Sequence, residues 1–173
     1  EMKTCLYTQR LIIRPIQDQD LIHIKKMYKD VKFYGYATGF YDPSFSSFFS
    51  FSQTSIEEFF FVAYKKNKGD FVGCIRGHVP MLTRKYLWIN NIMIAKEFLR
   101  QGYGREICNE ILCFLKGKHQ IEKAYTSIHE KNTGGLMFWE KMNFSPCYQI
   151  CRYHSTTHEK EKVWLYVYPC TTS

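Results

Sequence analysis

The chain has 173 residues, a formal net charge of +8, 45% hydrophobic and 17% aromatic side chains. That length predicts one domain spanning 1–173 with enough apolar surface for a core, which excludes a disordered chain. The basic residues are spread without an arm or a DNA-binding motif, which argues against nucleic acid as a partner, and no apolar run reaches the roughly 18 residues of a membrane helix.

In chain order, residues 6–16 read as a first strand, with Arg10 and Arg14 bracketing Leu11-Ile12-Ile13 and Pro15 ending it. Asp18 or Asp20 then caps a helix to about residue 29, with Leu21, Ile24, Met27 and Tyr28 on one stripe. The stretch VKFYGYATGFYDPSFSSFFSFSQTS mixes glycines, Pro43, serines and aromatics. It predicts a loop and a short irregular helix, whose rings either wall a pocket or pack in the core. Residues 59–65 and 71–79 predict a hairpin across the turn KNKGD.

Residues 88–95 form an apolar strand, followed by a charged connection, two glycines flanking Tyr103, and an amphipathic helix. Ile107, Cys108, Ile111, Leu112 and Leu115 recur on one face of that helix, and Gly117 marks its end. Residues 124–129 alternate as a strand, 132–142 predict another helix with Asn143 left-handed after it, and 147–153 and 162–168 predict two last strands. No signal-peptide core opens the chain, and the seven cysteines include no C-x-x-C pair. Free thiols, no metal and a cytoplasmic setting are expected.

The chemistry concentrates where the connection turns into the helix. Gly102 and Gly104 leave the first helical N–H groups unshielded, and the helix dipole favours an anion there. Arg100 and Arg105 flank the turn. Here LRQGYG resembles the acyl-CoA pyrophosphate loop of the GNAT N-acetyltransferase superfamily, Q/R-x-x-G-x-G/A. Gly102 and Gly104 match, while Leu99 stands in place of Gln or Arg. HEKNTGGLMFWEKMNF resembles the superfamily's second signature, N-x-x-A-x-x-F-Y-E-K-x-G-F. Asn132, Phe138, Glu140, Lys141 and Phe144 match; Gly135, Trp139 and Asn143 replace alanine, tyrosine and glycine. TQRLIIRPI resembles the opening strand of the ribosomal-protein-acetyltransferase-like branch.

The resemblance implies a single-domain α/β (α+β) fold: a mixed, mostly antiparallel seven-stranded sheet with a splayed central pair and helices on both faces. It implies acetyl-CoA as co-substrate and a primary amine acceptor, a protein N-terminus or a small molecule, attacking directly in a ternary complex. The main chain of Ile92, Met93 and Ile94 would pair with pantetheine. The loop Leu99, Arg100, Gln101, Gly102, Tyr103, Gly104 and Arg105 would hold the diphosphate, with Asn132 on the pantetheine arm and Phe138 and Lys141 beside it.

The proton carriers depart from the family pattern. Trp139 occupies the position of the tyrosine that usually protonates the thiolate, and an indole N–H does not ionise near neutrality. Where the family has a glutamate base near the start of the central strand, this chain has Asn90 and Asn91. Asn90 can orient a water, and His78 at the end of the preceding strand carries an imidazole that can accept a proton. The alternative function is an acyl-CoA-binding module that has lost turnover. Competing motifs fail on spacing: Ile107 breaks G-x-G-x-x-G, no G-x-x-x-x-G-K-S/T occurs, and His129-Glu130 lacks the second histidine of H-E-x-x-H. The sequence leaves the oligomeric state open, a homodimer included.

Overall fold

The computed structural model describes residues 4–38, 56–82, 85–153 and 158–170, with Arg152 described by its backbone alone. The elements run β1 (Leu6–Tyr7), β2 (Leu11–Pro15), α1 (Leu21–Lys29), α2 (Val31–Thr38), β3 (Ile56–Lys65), β4 (Phe71–Pro80) and β5 (Tyr86–Ile94). They continue with α3 (Tyr103–Lys118), β6 (Lys123–His129), α4 (Thr133–Lys141), β7 (Ser145–Tyr153) and β8 (Lys160–Pro169). Of the aromatic stretch after residue 30, α2 is described and residues 39–55 lie outside the described residues.

The strands form one sheet in the order β1-β2-β3-β4-β5-β6-β8-β7, antiparallel except for β5 with β6. Eight strands replace the expected seven because the first strand turns back on itself. The Thr8 N–H donates to the Leu11 carbonyl (3.0 Å), and Leu6 then pairs with Ile13. The turn is held from far away: Glu106 on α3 accepts from the Thr8 hydroxyl, from the Arg10 N–H (3.1 Å) and from Arg10 Nε (2.7 Å). Gly117 does not end α3. It lies in open space within the last turn, and the helix closes where the His119 N–H reaches the Leu115 carbonyl (2.8 Å).

Asp20 is the last residue of a 3₁₀ turn at Asp18–Asp20 and does not cap α1 through its side chain. Its fully buried carboxylate instead takes Arg14 Nη1 (2.7 Å) and Nη2 (2.9 Å), Tyr64 Oη (2.5 Å) and the Gln17 N–H (2.7 Å). Burial pushes this carboxyl up, but the hydrogen bonds from Arg14, Tyr64 and Gln17 outweigh it and hold it below the ordinary carboxylate range.

The sheet separates two apolar layers. Ile107, Cys108, Ile111 and Leu115 of α3, with Trp139 of α4, pack on Leu11, Phe61, Ile75 and Leu87. Ile24 and Met27 of α1, with Tyr34 of α2, pack on Val62, Cys74 and Met93. Leu87, Ile89 and Met93 share parity, yet the first two face α3 and the third faces α1. A β-bulge explains the switch: Arg76 pairs with Asn91 and Gly77 with Ile89, so Asn90 is the extra residue.

The bulge needs close approach of β4 and β5. A Cβ on Gly77 would lie 2.0 Å from the Trp88 carbonyl oxygen and 2.4 Å from Phe59 Cζ. Gly77→Ala is therefore expected to cost about 3 kcal/mol, at the upper end of ordinary overpacking. Urea unfolding checks this, and an unchanged midpoint would contradict the packing at the bulge.

Candidate active site

β5 and β6 pair only from Tyr86↔Lys123 to Ile89↔Thr126. Beyond that point β5 runs on to Ile94 and β6 to His129 without further pairing, so the two strands diverge. At the vertex the Thr126 hydroxyl donates to the Ile89 carbonyl (3.0 Å). The opening is part of a cleft of about 760 Å³. Asn90, Ile92, Met93, Ile94, Leu99, Arg100, Asn132, Phe138 and Trp139 line it, bringing these sequence-predicted residues together.

Gly102 caps α3 with φ 83°, a left-handed conformation that suits glycine. Arg100 has φ 57°, a strained choice for a side-chain-bearing residue and one that re-aims the loop. The first helical bond of α3 joins the Glu106 N–H to the Gly102 carbonyl (3.1 Å), so the N–H groups of Tyr103, Gly104 and Arg105 have no helical acceptor. A Cβ on Gly104 would lie 3.0 Å from Phe138 Cε2 and 3.6 Å from Ile94 Cγ1, which places this turn against the cleft wall.

Other predicted residues are engaged elsewhere. Tyr103 is buried beneath the Arg10 guanidinium, 4.0 Å from its ring centre, and Arg10 also donates to the Gln101 carbonyl (3.0 Å). Gln101 Nε2 binds the Glu97 carbonyl (2.8 Å), and Arg105 binds the carbonyl of exposed Lys141 (3.0 Å). His78 is outside the cleft lining; its Nδ1 lies 3.1 Å from Asn90 Oδ1, and its ring stacks on Trp88 at 6.4 Å. Trp139 is 5% exposed, wedged between the rings of Phe138 (5.0 Å) and Phe144 (4.7 Å).

The wall under α1 and α2 carries hydroxyls. Tyr34 Oη donates to the Ile94 carbonyl (2.8 Å), and burial pushes its pKa up to about 12. Tyr28 accepts from Asn91 Nδ2 (3.3 Å) and is also raised, by burial first. Both remain protonated near neutrality. Sequence reasoning missed one acidic group: Glu161 on β8 lines the cleft beside His129, whose Nε2 is 3.1 Å from Glu161 Oε2. The available signal was spacing. Glu161 shares parity with Val163, which also lines the cleft.

The sequence pattern of the acetyltransferase (GNAT) family matches residues 21–144. The chain belongs to this family. GNAT acetyltransferases use acetyl-CoA as co-substrate, and this protein is an acyltransferase of that class. Among solved structures, it is similar to spermidine N-acetyltransferase from Vibrio cholerae in complex with CoA and spermine (TM-score 0.78, 15% identity, 94% of this chain and 96% of that one). It is also similar to a GNAT-family acetyltransferase from Bacillus anthracis (0.79, 15%, 96% and 99%). A third is the ribosomal-protein-S18-alanine N-acetyltransferase from Escherichia coli (0.68, 15%, 94% and 96%). No curated protein matches by sequence.

The described residues suit the acetyltransferase's co-substrate. The α3 turn offers free amides to a diphosphate, and the diverging β5 edge offers main-chain groups to an extended amide chain. Departures from the family pattern also acquire a physical reason. Asn132 caps α4 by accepting from the Gly135 N–H (2.9 Å), and a Cβ at residue 135 would lie 2.5 Å from Asn132 Nδ2. Glycine in place of the usual alanine thus permits this cap. Asn143 takes the left-handed conformation at φ 64°, as the sequence predicts. No helix among the described residues is long and apolar enough to cross a membrane.

Proposed function

We propose that this acetyltransferase transfers the acetyl group of acetyl-CoA to a primary amine within the β5–β6 opening, in the cytoplasm, by direct attack in a ternary complex. The observation that carries the reading is the divergence of β5 from β6 beyond Ile89 and Thr126, beside the exposed amide end of α3. The amides of Gly102 to Arg105 hold the diphosphate, and Ile92 to Ile94 guide the pantetheine. Asn132, its Oδ1 engaged in capping α4, keeps its amide hydrogens for a carbonyl of that arm. Arg100 supplies charge at the mouth.

Alignment is the main catalytic asset of such a site. Holding amine and thioester in register contributes up to roughly 7–11 kcal/mol in favourable systems. Trp139 fills the wall as an apolar block, so thiolate departure depends on positioning and on the dipoles of the cleft. The acceptor is a protein N-terminus or a small-molecule amine; proteins named for each kind occur among the structural neighbours.

Calorimetric titration with acetyl-CoA, followed by thiol release over a panel of peptides and small amines, tests the reading. Binding with amine-dependent release is expected. Binding with no release across the panel would favour the acyl-CoA-binding module instead, and no binding would end both readings.

A further inference from the structure

We propose that Glu161 accepts the proton of the incoming ammonium, that His129 positions Glu161, and that the acceptor enters on the α1–α2 face of the sheet. This assignment rests on the acetyl-transfer reading above.

The pair is built into the cleft wall. The Glu161 side chain is 10% exposed and that of His129 11%. The Lys131 N–H donates to His129 Nδ1 (3.1 Å), which leaves the imidazole proton on Nε2, directed at Glu161 Oε2 3.1 Å away. The ring is further fixed by Tyr36 of α2, whose centre lies 4.7 Å from it. With both nitrogens engaged, the imidazole orients the carboxylate and does not take the proton itself.

The face is set by the alternation of β8. Trp164 and Tyr166 pack in the layer under α3 and α4, so Glu161 and Val163 point the other way, toward α1 and α2. The α3 turn that would receive the diphosphate belongs to the first of those layers. Donor and acceptor therefore meet across the opening.

Elimination supports the same group. An amine with an ordinary pKa arrives mostly protonated and must lose a proton before it can attack. Among the described residues lining the cleft, Glu161 is the sole carboxylate and His129 the sole imidazole. Tyr28 and Tyr34 stay protonated, Asn90 and Trp139 cannot accept a proton, and Arg76 and Arg100 are cations. Sharing the cleft lining with Glu161 are His129 on β6, Tyr28, Tyr34 and Tyr36 from the helices and Arg76 on β4, while the β7 backbone at residue 152 stands opposite it in register.

In the step, one N–H bond of the ammonium breaks and its proton goes to the Glu161 carboxylate. The freed lone pair forms the C–N bond to the acyl carbon while the C–S bond breaks with its electrons on sulfur. The second proton lost by nitrogen ends on that sulfur as thiol, and Glu161 returns its proton to water.

The test measures acetyl-CoA affinity and thiol release against pH for the wild type, Glu161→Gln, Glu161→Asp and His129→Gln, with butylamine as a bare acceptor at varied concentration and acetyl-CoA saturating. Glu161→Gln is expected to lose about 100-fold or more in kcat/KM and the ascending limb of the profile, with acetyl-CoA affinity unchanged. Glu161→Asp keeps the limb at a reduced rate, and should Glu161→Gln fail to fold, this variant carries the test. His129→Gln keeps a limb but displaces it, which a purely structural role would not do.

Glu161→Gln within about threefold of wild type overturns the assignment alone, as does Glu161→Asp with the wild-type rate. So does a limb that survives in Glu161→Gln and disappears in His78→Gln, or a wild type that binds acetyl-CoA and releases no thiol with butylamine. A wild type that does not bind acetyl-CoA overturns the acetyl-transfer reading and this assignment with it.

Discussion

Gly104→Trp is expected to weaken acetyl-CoA binding at least 100-fold, about 2.8 kcal/mol, while the protein stays folded. Gly104 sits in the first turn of α3, where a Cβ would already be 3.0 Å from Phe138 Cε2 and 3.6 Å from Ile94 Cγ1. Both neighbours line the cleft. On the proposed reading, an indole would extend over the ground the co-substrate occupies and push the Phe138 ring toward the opening. The fold survives because the near atoms belong to side chains, and a tryptophan favours the helix over glycine by a few tenths of a kcal/mol. Calorimetry with far-ultraviolet circular dichroism separates the two effects. Unchanged affinity would remove the diphosphate from this turn.

Asp20→Ala is expected to cost about 3–5 kcal/mol, a large share of the 5–15 kcal/mol typical of a domain. The loss is large because it strands partners: Arg14 is 20% exposed, and it loses two charge-assisted bonds while the Tyr64 hydroxyl loses its acceptor. The sign of the pH effect follows from the lowered carboxyl. A depressed folded pKa contributes stability that is fully present above the unfolded value, about 3.9, and is lost as pH falls through the folded value. The gap between wild type and Asp20→Ala should be widest at pH 7 and shrink toward pH 3. Denaturant unfolding at the two pH values measures it, and an equal gap at both would rule out the charged network as its source.

The glycine turn, the succession of strands and helices along the chain and the left-handed Asn143 were legible because each has a local cause: a missing Cβ, a hydrophobic period, a helix stop. The split of the first strand was not, since the group that folds Thr8 to Arg10 back is Glu106, far along the chain. Nor was the bulge. Leu87, Ile89 and Met93 share parity, and only the pairing with Arg76 and Gly77 reveals that Asn90 is extra. Glu161 was hidden by its neighbours, because Glu159-Lys160-Glu161-Lys162 reads as an exposed charged turn until Val163 is seen to set its direction. Gly117 misled for the opposite reason. With nothing near it, its missing side chain neither breaks nor terminates the helix.

The divergence of β5 from β6 turns the sheet into a window rather than a wall. On the proposed reading, acyl donor and amine would arrive from opposite sides, so neither would block the other's route and neither product would have to cross the other's path to leave. A double-displacement scheme, in which the first product departs before the second reactant lands, has no structural motive here. The architecture favours both partners being seated at once, loaded in either order.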